Sequence, residues 1–307
     1  MNFELIVALL AATVHSGTPI LYATLGEMLS EKGGVLNLGV EGMMSVSAFA
    51  AFMVCLVTGS AWLGLLAGGL AGLLMAGLHG FVTITCLGNQ VVSGLALTIL
   101  GGGLTEFMGT PYIGLSTKGF NVWAIPGLSE IPVFGPVFFK HNVLVYLSYL
   151  LPVAFWFFMR RTSLGLAVTA VGEMPAAAAA AGLKPKRLRW FAVTGGGFLV
   201  GLSGAYLSLA YTHLWTTGLS GGRGWIAVAL VIFAFWRPFR AVVGAYLFGG
   251  VMAFQLRLQA TGTTLAPQFL LMLPYALTVI VLVLSAWKGK RRSQGPGALG
   301  VNIEPEG

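Results

Sequence analysis

Glycine-flanked serines and histidines are the residues in this chain that could act as catalytic groups. Gly201-Leu202-Ser203-Gly204 has the G-x-S-G form of intramembrane serine proteases, and His141 and His213 are available as bases. Gly218-Leu219-Ser220-Gly221 fits the form equally well, so in this glycine-rich chain the pattern is cheap. Small residues also let helices pack closely. No nucleotide site is encoded. The nearest approach to a phosphate loop, Gly109 to Lys118, puts the lysine in the wrong place and opens no helix, so ATP hydrolysis must come from another chain. Cys55 and Cys86 lie in apolar runs and read as small buried hydrophobes, not as a metal or disulfide pair. No catalytic or metal site and no cofactor are expected on this chain.

Binding chemistry is the stronger reading. Glu41 and Glu106 lie within or at the ends of apolar runs, where an ionisable group is expensive and often functional. Glu27, Glu31 and Glu41 also flank a turn, which would place them at an interface. Asn37, Asn89 and Gln90 are neutral amides near the ends of such runs; they donate and accept without charge, which suits a neutral hydroxyl- or nucleobase-bearing solute. Helix capping accounts for each of them equally well. His15, Ser16, Gly17, Thr18 and Pro19 form a polar, kinkable patch midway along the first run, fit either to line a hydrated path or to be satisfied by neighbouring helices. The substrate path is assigned to Thr18, Asn37, Glu41, Asn89 and Gln90.

The elements that must position these groups follow from composition. The 307 residues are 57% hydrophobic and 8% charged, with a mean hydropathy of +0.87. Soluble domains carry about 25% charged residues, so this is an integral membrane protein. Apolar runs near the length of a helical span recur throughout. The expected fold is an all-α polytopic bundle of about nine transmembrane helices with interrupted helices. The spans are placed at 3–25, 38–57, 62–86, 91–108, 142–159, 190–211, 225–236, 241–256 and 267–287. The seventh is too short to cross alone and is expected to extend back through the glycine-rich 216–224. In the third, Gly64, Gly68, Gly72 and Ala76 recur at spacing four, as a packing seam or a moving one. Two glycine-rich segments, Gly33–Gly42 and Gly218–Gly224, look like interrupted helices at matching positions of two halves, near opposite membrane faces.

Residues 160–189 carry six of the seventeen basic residues. Lys and Arg concentrate on the cytoplasmic side, so this loop, Arg237/Arg240 and Lys288–Arg292 set the orientation: N-terminus outside, C-terminus and this loop cytoplasmic, the proline-rich 109–140 outside. The net charge of +8 fits this and attraction to membrane lipid, not nucleic acid. Within the loop Pro175 opens a helix, six alanines continue it and Gly182 stops it. A short small-faced helix bounded by charge suits docking of a cytoplasmic partner. The domain reading is a permease domain over 1–292, with a coupling loop at 160–189, and a disordered tail over 293–307.

The stretches Gly17–Glu27, Ser30–Met44, Asn89–Leu97, Gly165–Leu183 and Trp236-Arg237-Pro238 resemble the inner-membrane permeases of bacterial ABC importers for nucleosides and simple sugars. The branch it is similar to works with basic-membrane-lipoprotein-type binding proteins, and the chain looks like the shorter of the two permeases in such systems. The resemblance covers about residues 15–290. It implies a heterodimer with a second permease, two copies of a cytoplasmic ATPase that binds ATP and Mg, and an extracytoplasmic solute-binding lipoprotein at the bacterial plasma membrane. On the short small-faced helix and its flanks, the residues expected to couple to that ATPase are Glu173, Pro175, Ala178, Gly182 and Lys184. The alternative is an ion-coupled secondary transporter of a small polar solute.

Overall fold

A computed structural model of the chain describes residues 3–262, 266–288 and 295–303. Among them are twelve α-helices and one two-stranded ladder, β1 (Trp123–Ala124) with β2 (Lys140–His141). Seven helices have the length and apolarity to cross a membrane. They are α1 (Phe3–Lys32), α2 (Val40–Thr58), α3 (Ala61–Gly80, continued by a π-turn over Phe81–Thr85), α4 (Gln90–Gly109), α6 (Val143–Arg161), α9 (Pro185–Tyr206, continued by a π-turn over Leu207–Tyr211) and α11 (Pro238–Ala260). Shorter helices are α5 (Phe134–Phe138), α7 (Ser163–Glu173), α8 (Pro175–Ala180) and α10 (Arg223–Ala234); α12 runs over Pro267–Lys288.

The bundle is built around α9, which packs on α1, α2 and α3. Hydrocarbon lipid offers no hydrophobic drive between helices, so close contact depends on small residues. The α3 seam supplies it: a Cβ on Gly201 of α9 would run into the Gly68 carbonyl, and one on Gly197 into Ala76. The spacing-four glycines therefore pack α3 on α9. Pro19 deprives the His15 carbonyl of its helical donor, and the Tyr206 hydroxyl donates to that carbonyl at 3.1 Å. The Ser203 hydroxyl donates to the Pro19 carbonyl at 2.6 Å. A neighbouring helix thus satisfies the backbone carbonyls of the patch around Pro19.

The structure departs from the expected elements at four places. First, α1 does not stop near residue 25 but continues to Lys32, so Glu27 and Glu31 are buried in a helix and not at a turn. Second, the glycine-rich segment ahead of α10 forms turns and adds no helix, leaving α10 at 12 residues, about 18 Å. Third, Cys86 is exposed, because it caps the π-turn after α3; Cys55 is buried as expected. Fourth, residues 295–303 of the tail expected to be disordered form turns bonded to the bundle, while 293, 294 and 304–307 lie outside the described residues. One partner of that tail is Arg189, which is only 1% exposed and donates to the carbonyls of Val301 (2.7 Å) and Ala298 (3.3 Å).

Candidate functional site

The two glycine-rich segments expected near opposite faces meet inside the bundle. Glu41, in the first turn of α2, accepts hydrogen bonds from the Ser220 hydroxyl (2.6 Å) and the backbone N–H groups of Gly222 (2.8 Å) and Gly224 (2.7 Å). Those N–H groups are the open start of α10, where partial positive charge collects, and a carboxylate is a suitable cap. Gly222 holds the turn at φ 80°, a conformation glycine adopts without strain. A Cβ on Gly224 would lie 2.5 Å from the Glu41 backbone. Around this contact lie Ser45, hydrogen-bonded to Ser220 at 3.0 Å, and Arg223. The Arg223 guanidinium donates to the Leu219 and Ser220 carbonyls and sits 5.1 Å from the centre of the Tyr211 ring. The Tyr211 hydroxyl in turn meets Ser16 at 3.1 Å. Hydroxyls, a carboxylate, a guanidinium and an aromatic face together form a polar cluster at a junction of α1, α2 and α10.

Below Glu41, the connector between α1 and α2 has little secondary structure of its own, and its backbone polar groups are held by side chains. Gln90 accepts from the Leu36 N–H at 2.7 Å, and Glu27 accepts from the Asn37 N–H at 2.9 Å. The Leu36 carbonyl can only accept, so His79 carries its proton on Nε2 and donates there at 3.0 Å; its Nδ1 then accepts from Ser93, also at 3.0 Å. Thr98 donates to the Leu38 carbonyl. Asn37 folds its own side chain back onto the Gly39 N–H. Asn37 and Gln90 therefore both belong to the bonding of the connector that leads into α2 and Glu41.

Thr18 and Asn89 are not. Thr18 is fully buried and bonds to the Val14 carbonyl of its own helix. Asn89 caps α4 through the Val92 N–H and lines an apolar cavity of about 590 Å³ with Leu78, Val82 and Leu100. Glu106 is exposed on the last turn of α4. No protease constellation is assembled: Ser203 is spent on Pro19, and the Nε2 atoms of His213 and His141 meet the Phe120 and Val137 carbonyls. Burial also pushes His141 below the usual imidazole range. Among the described residues no three His, Cys, Asp or Glu side chains cluster as a metal site.

The connector reaches the predicted docking helix through α7 and the tail. Gly172 of α7 lies so close to the Lys32 carbonyl that a Cβ would collide with it. The Gly172 carbonyl accepts from the Ala298 N–H, Glu173 from the Gly297 N–H (3.2 Å), and the Gly34 carbonyl from the Gly300 N–H. Asn302 closes the circuit. Its amide donates to the Leu87 and Gly88 carbonyls and accepts from Gln90. Helix α8 follows with Pro175 in its first turn, and Gly182 ends it at φ +82° with open space around it. Ala176, Ala177 and Ala180 are exposed, whereas Ala178 is 5% exposed and faces inward. Lys184 is exposed beside them.

A family model described as a branched-chain amino acid transport system permease component matches residues 9–282. The chain belongs to this family. The permease is 44% identical to the putative glucose ABC transporter permease protein TsgC13 of Haloferax volcanii, over 89% of its own length and 90% of that protein's. It is 32% identical to the nucleoside ABC transporter permease protein NupC of Lactococcus lactis over 93% of both chains. It is 31% identical to the guanosine ABC transporter permease protein NupQ of Bacillus subtilis over 97% of both. No solved structure matches it.

Sequence reasoning alone missed several of the residues that hold the permease's connector. His79 carried a usable signal, being an ionisable group inside the third span. Arg189 and Asn302 carried none, because their partners are 100 or more residues away in the chain.

Proposed function

We propose that this permease forms the translocation path of an ABC importer for a nucleoside or a simple sugar. It works beside a second permease subunit, with an ATPase on the face that carries α8 and an extracytoplasmic binding protein opposite. The observation that carries this reading is the run of contacts from exposed α8 to the buried polar cluster. It passes from α7 and the tail to the connector Gly33–Gly39, and from there to Glu41 and the start of α10. ATP-driven closure of the ATPases shifts α7 and α8, and Gly172 and Gly297–Gly300 press that shift onto the connector. A change in the connector moves Glu41, which caps the start of α10 with a full charge. The outcome is alternating access around the α2/α10 junction.

The solute class is supported by the relatives, whose printed names give glucose, nucleoside and guanosine, and by the neutral or internally paired polar groups of the cluster. Nine spans follow if α10, with its re-entrant turn, and α12 cross as well as the seven long helices. That number would set the termini on opposite sides, and the basic ends of α6 and α9 support a reading with α8 and the C-terminus in the cytoplasm and the N-terminus outside.

The test is uptake in proteoliposomes. Permease, partner permease, ATPase and binding protein together should accumulate labelled nucleoside or hexose only with ATP inside. Accumulation by the permease alone on a proton gradient, without any ATPase, would establish the ion-coupled carrier instead.

A further inference from the structure

A second cavity, of about 780 Å³, opens where the ends of α1, α6 and α7 meet the start of α11. Four cations line it, Lys32, Arg160, Arg237 and Arg240, and none of its lining residues is acidic. Two amphipathic rings, Trp156 and Trp236, complete its rim. Lys32 and Arg160 close their spans and Arg237 precedes the next, so the cavity lies at the level where a membrane meets water. Tryptophan concentrates at that level. The floor is apolar, made by buried Phe155 and Met159, and the outer lip is the exposed Leu166 and Phe239.

The α10–α11 turn that shapes this cavity is strained. Phe235 and Trp236 are consecutive non-glycine residues at φ 52° and 53°, a conformation that costs free energy in any residue with a Cβ. The strain places two side chains. The Phe235 ring lies 5.3 Å from the Arg240 guanidinium. The Trp236 indole N–H donates to Glu31 at 2.6 Å, which anchors the turn to α1. Helix α11 also begins here, with Pro238 in its first turn, so its N-terminal end faces the cavity. A helix start and four cations, with no acidic residue among those lining the cavity, are both suited to a phosphate.

We propose that this cavity binds the headgroup phosphate of an anionic phospholipid from the leaflet that borders the basic face. The cations take the phosphate, Trp156 and Trp236 flank the glycerol, and the acyl chains leave over Leu166 and Phe239. A zwitterionic lipid fits less well, because its own cation would face the four in the cavity. Free phosphate would leave the apolar floor and lip uncovered.

The test uses the assembled transporter in phosphatidylcholine nanodiscs, titrated with phosphatidylglycerol brominated on its acyl chains, with tryptophan fluorescence as readout. Saturable quenching is expected, part of which disappears in Trp156→Phe. Replacing both Arg160 and Arg240 by Gln should raise the half-saturating lipid fraction roughly 10- to 30-fold. Should that pair fail to assemble, Arg240→Gln alone should give about a fivefold rise. Equal quenching by brominated phosphatidylcholine overturns the proposal. So does displacement by millimolar inorganic phosphate, which would make this a soluble-anion site. Loss of all phosphatidylglycerol quenching whenever the ATPase is bound would assign the surface to that protein.

Discussion

Glu41 concentrates the proposed mechanism into one side chain, because three donors from the glycine-rich turn and the start of α10 converge on its two oxygens. Glu41→Gln keeps the shape but turns one oxygen into a donor that faces another donor. Loss of one charge-assisted bond costs about 1.5–3 kcal/mol. The variant should therefore melt at lower temperature in detergent and take up solute about tenfold more slowly or worse, with the remaining uptake still driven by ATP. Unchanged uptake would show that the α2/α10 junction does not move in the cycle. Glu41 was legible in the sequence as a costly charge in an apolar setting. Its partners were not, since serine and glycine 180 residues away carry no mark of the contact.

Helix α8 behaves differently on its two faces. Ala177 is exposed and Ala178 is buried, although the run of six alanines gives no face a distinct label. Ala177→Trp should leave thermal stability unchanged and abolish solute-stimulated ATP hydrolysis, because the bulk projects into the surface offered to the ATPase. Ala178→Trp should instead destabilise the permease itself by about 1–3 kcal/mol through overpacking. Thermal melting and an ATPase assay on both variants separate the two effects; normal stimulation in Ala177→Trp moves the docking surface elsewhere. The ends of α8 were readable, Pro175 and Gly182 each having a backbone reason to be where they are. The ends of α1 and α10 were not. Hydropathy sees two glutamates as a boundary, but Asn37 and Trp236 supply the hydrogen bonds that let the helix carry them inward.

Across the whole molecule, residues 295–303 tie the end of α7, the start of α9, the connector and the turn after α3 into one unit. Truncation after Gln294 removes both carbonyl partners of Arg189. Loss of hydrogen bonds to a charged group costs about 1.5–3 kcal/mol, so the truncated permease should be destabilised and poorly coupled. Adding Arg189→Leu to the truncation should recover part of the melting temperature, since no buried charge is then left unpaired. If the second change deepens the loss, Arg189 is held by something other than the tail. The tail's composition, rich in Gly and Pro, reads as disorder because order here comes from backbone contacts to a surface that exists only once the bundle is folded.

Hydropathy was enough to determine a helical membrane protein and most of its long spans, and Pro175, the alanine run and Gly182 were enough to mark the short helix. Those features depend on local length, charge and backbone preference, which neighbouring residues encode. The motifs around Asn37, Asn89, Glu173 and Trp236 were also enough to place it among transport permeases. Only tertiary structure decided which polar residues act together. It joined Glu41 to Ser220 and Gly224, Leu36 to His79 and Gln90, and Arg189 to Val301, while leaving Thr18 to its own helix. A buried polar group must find a partner wherever the packing brings one, and the packing is a property of the whole chain.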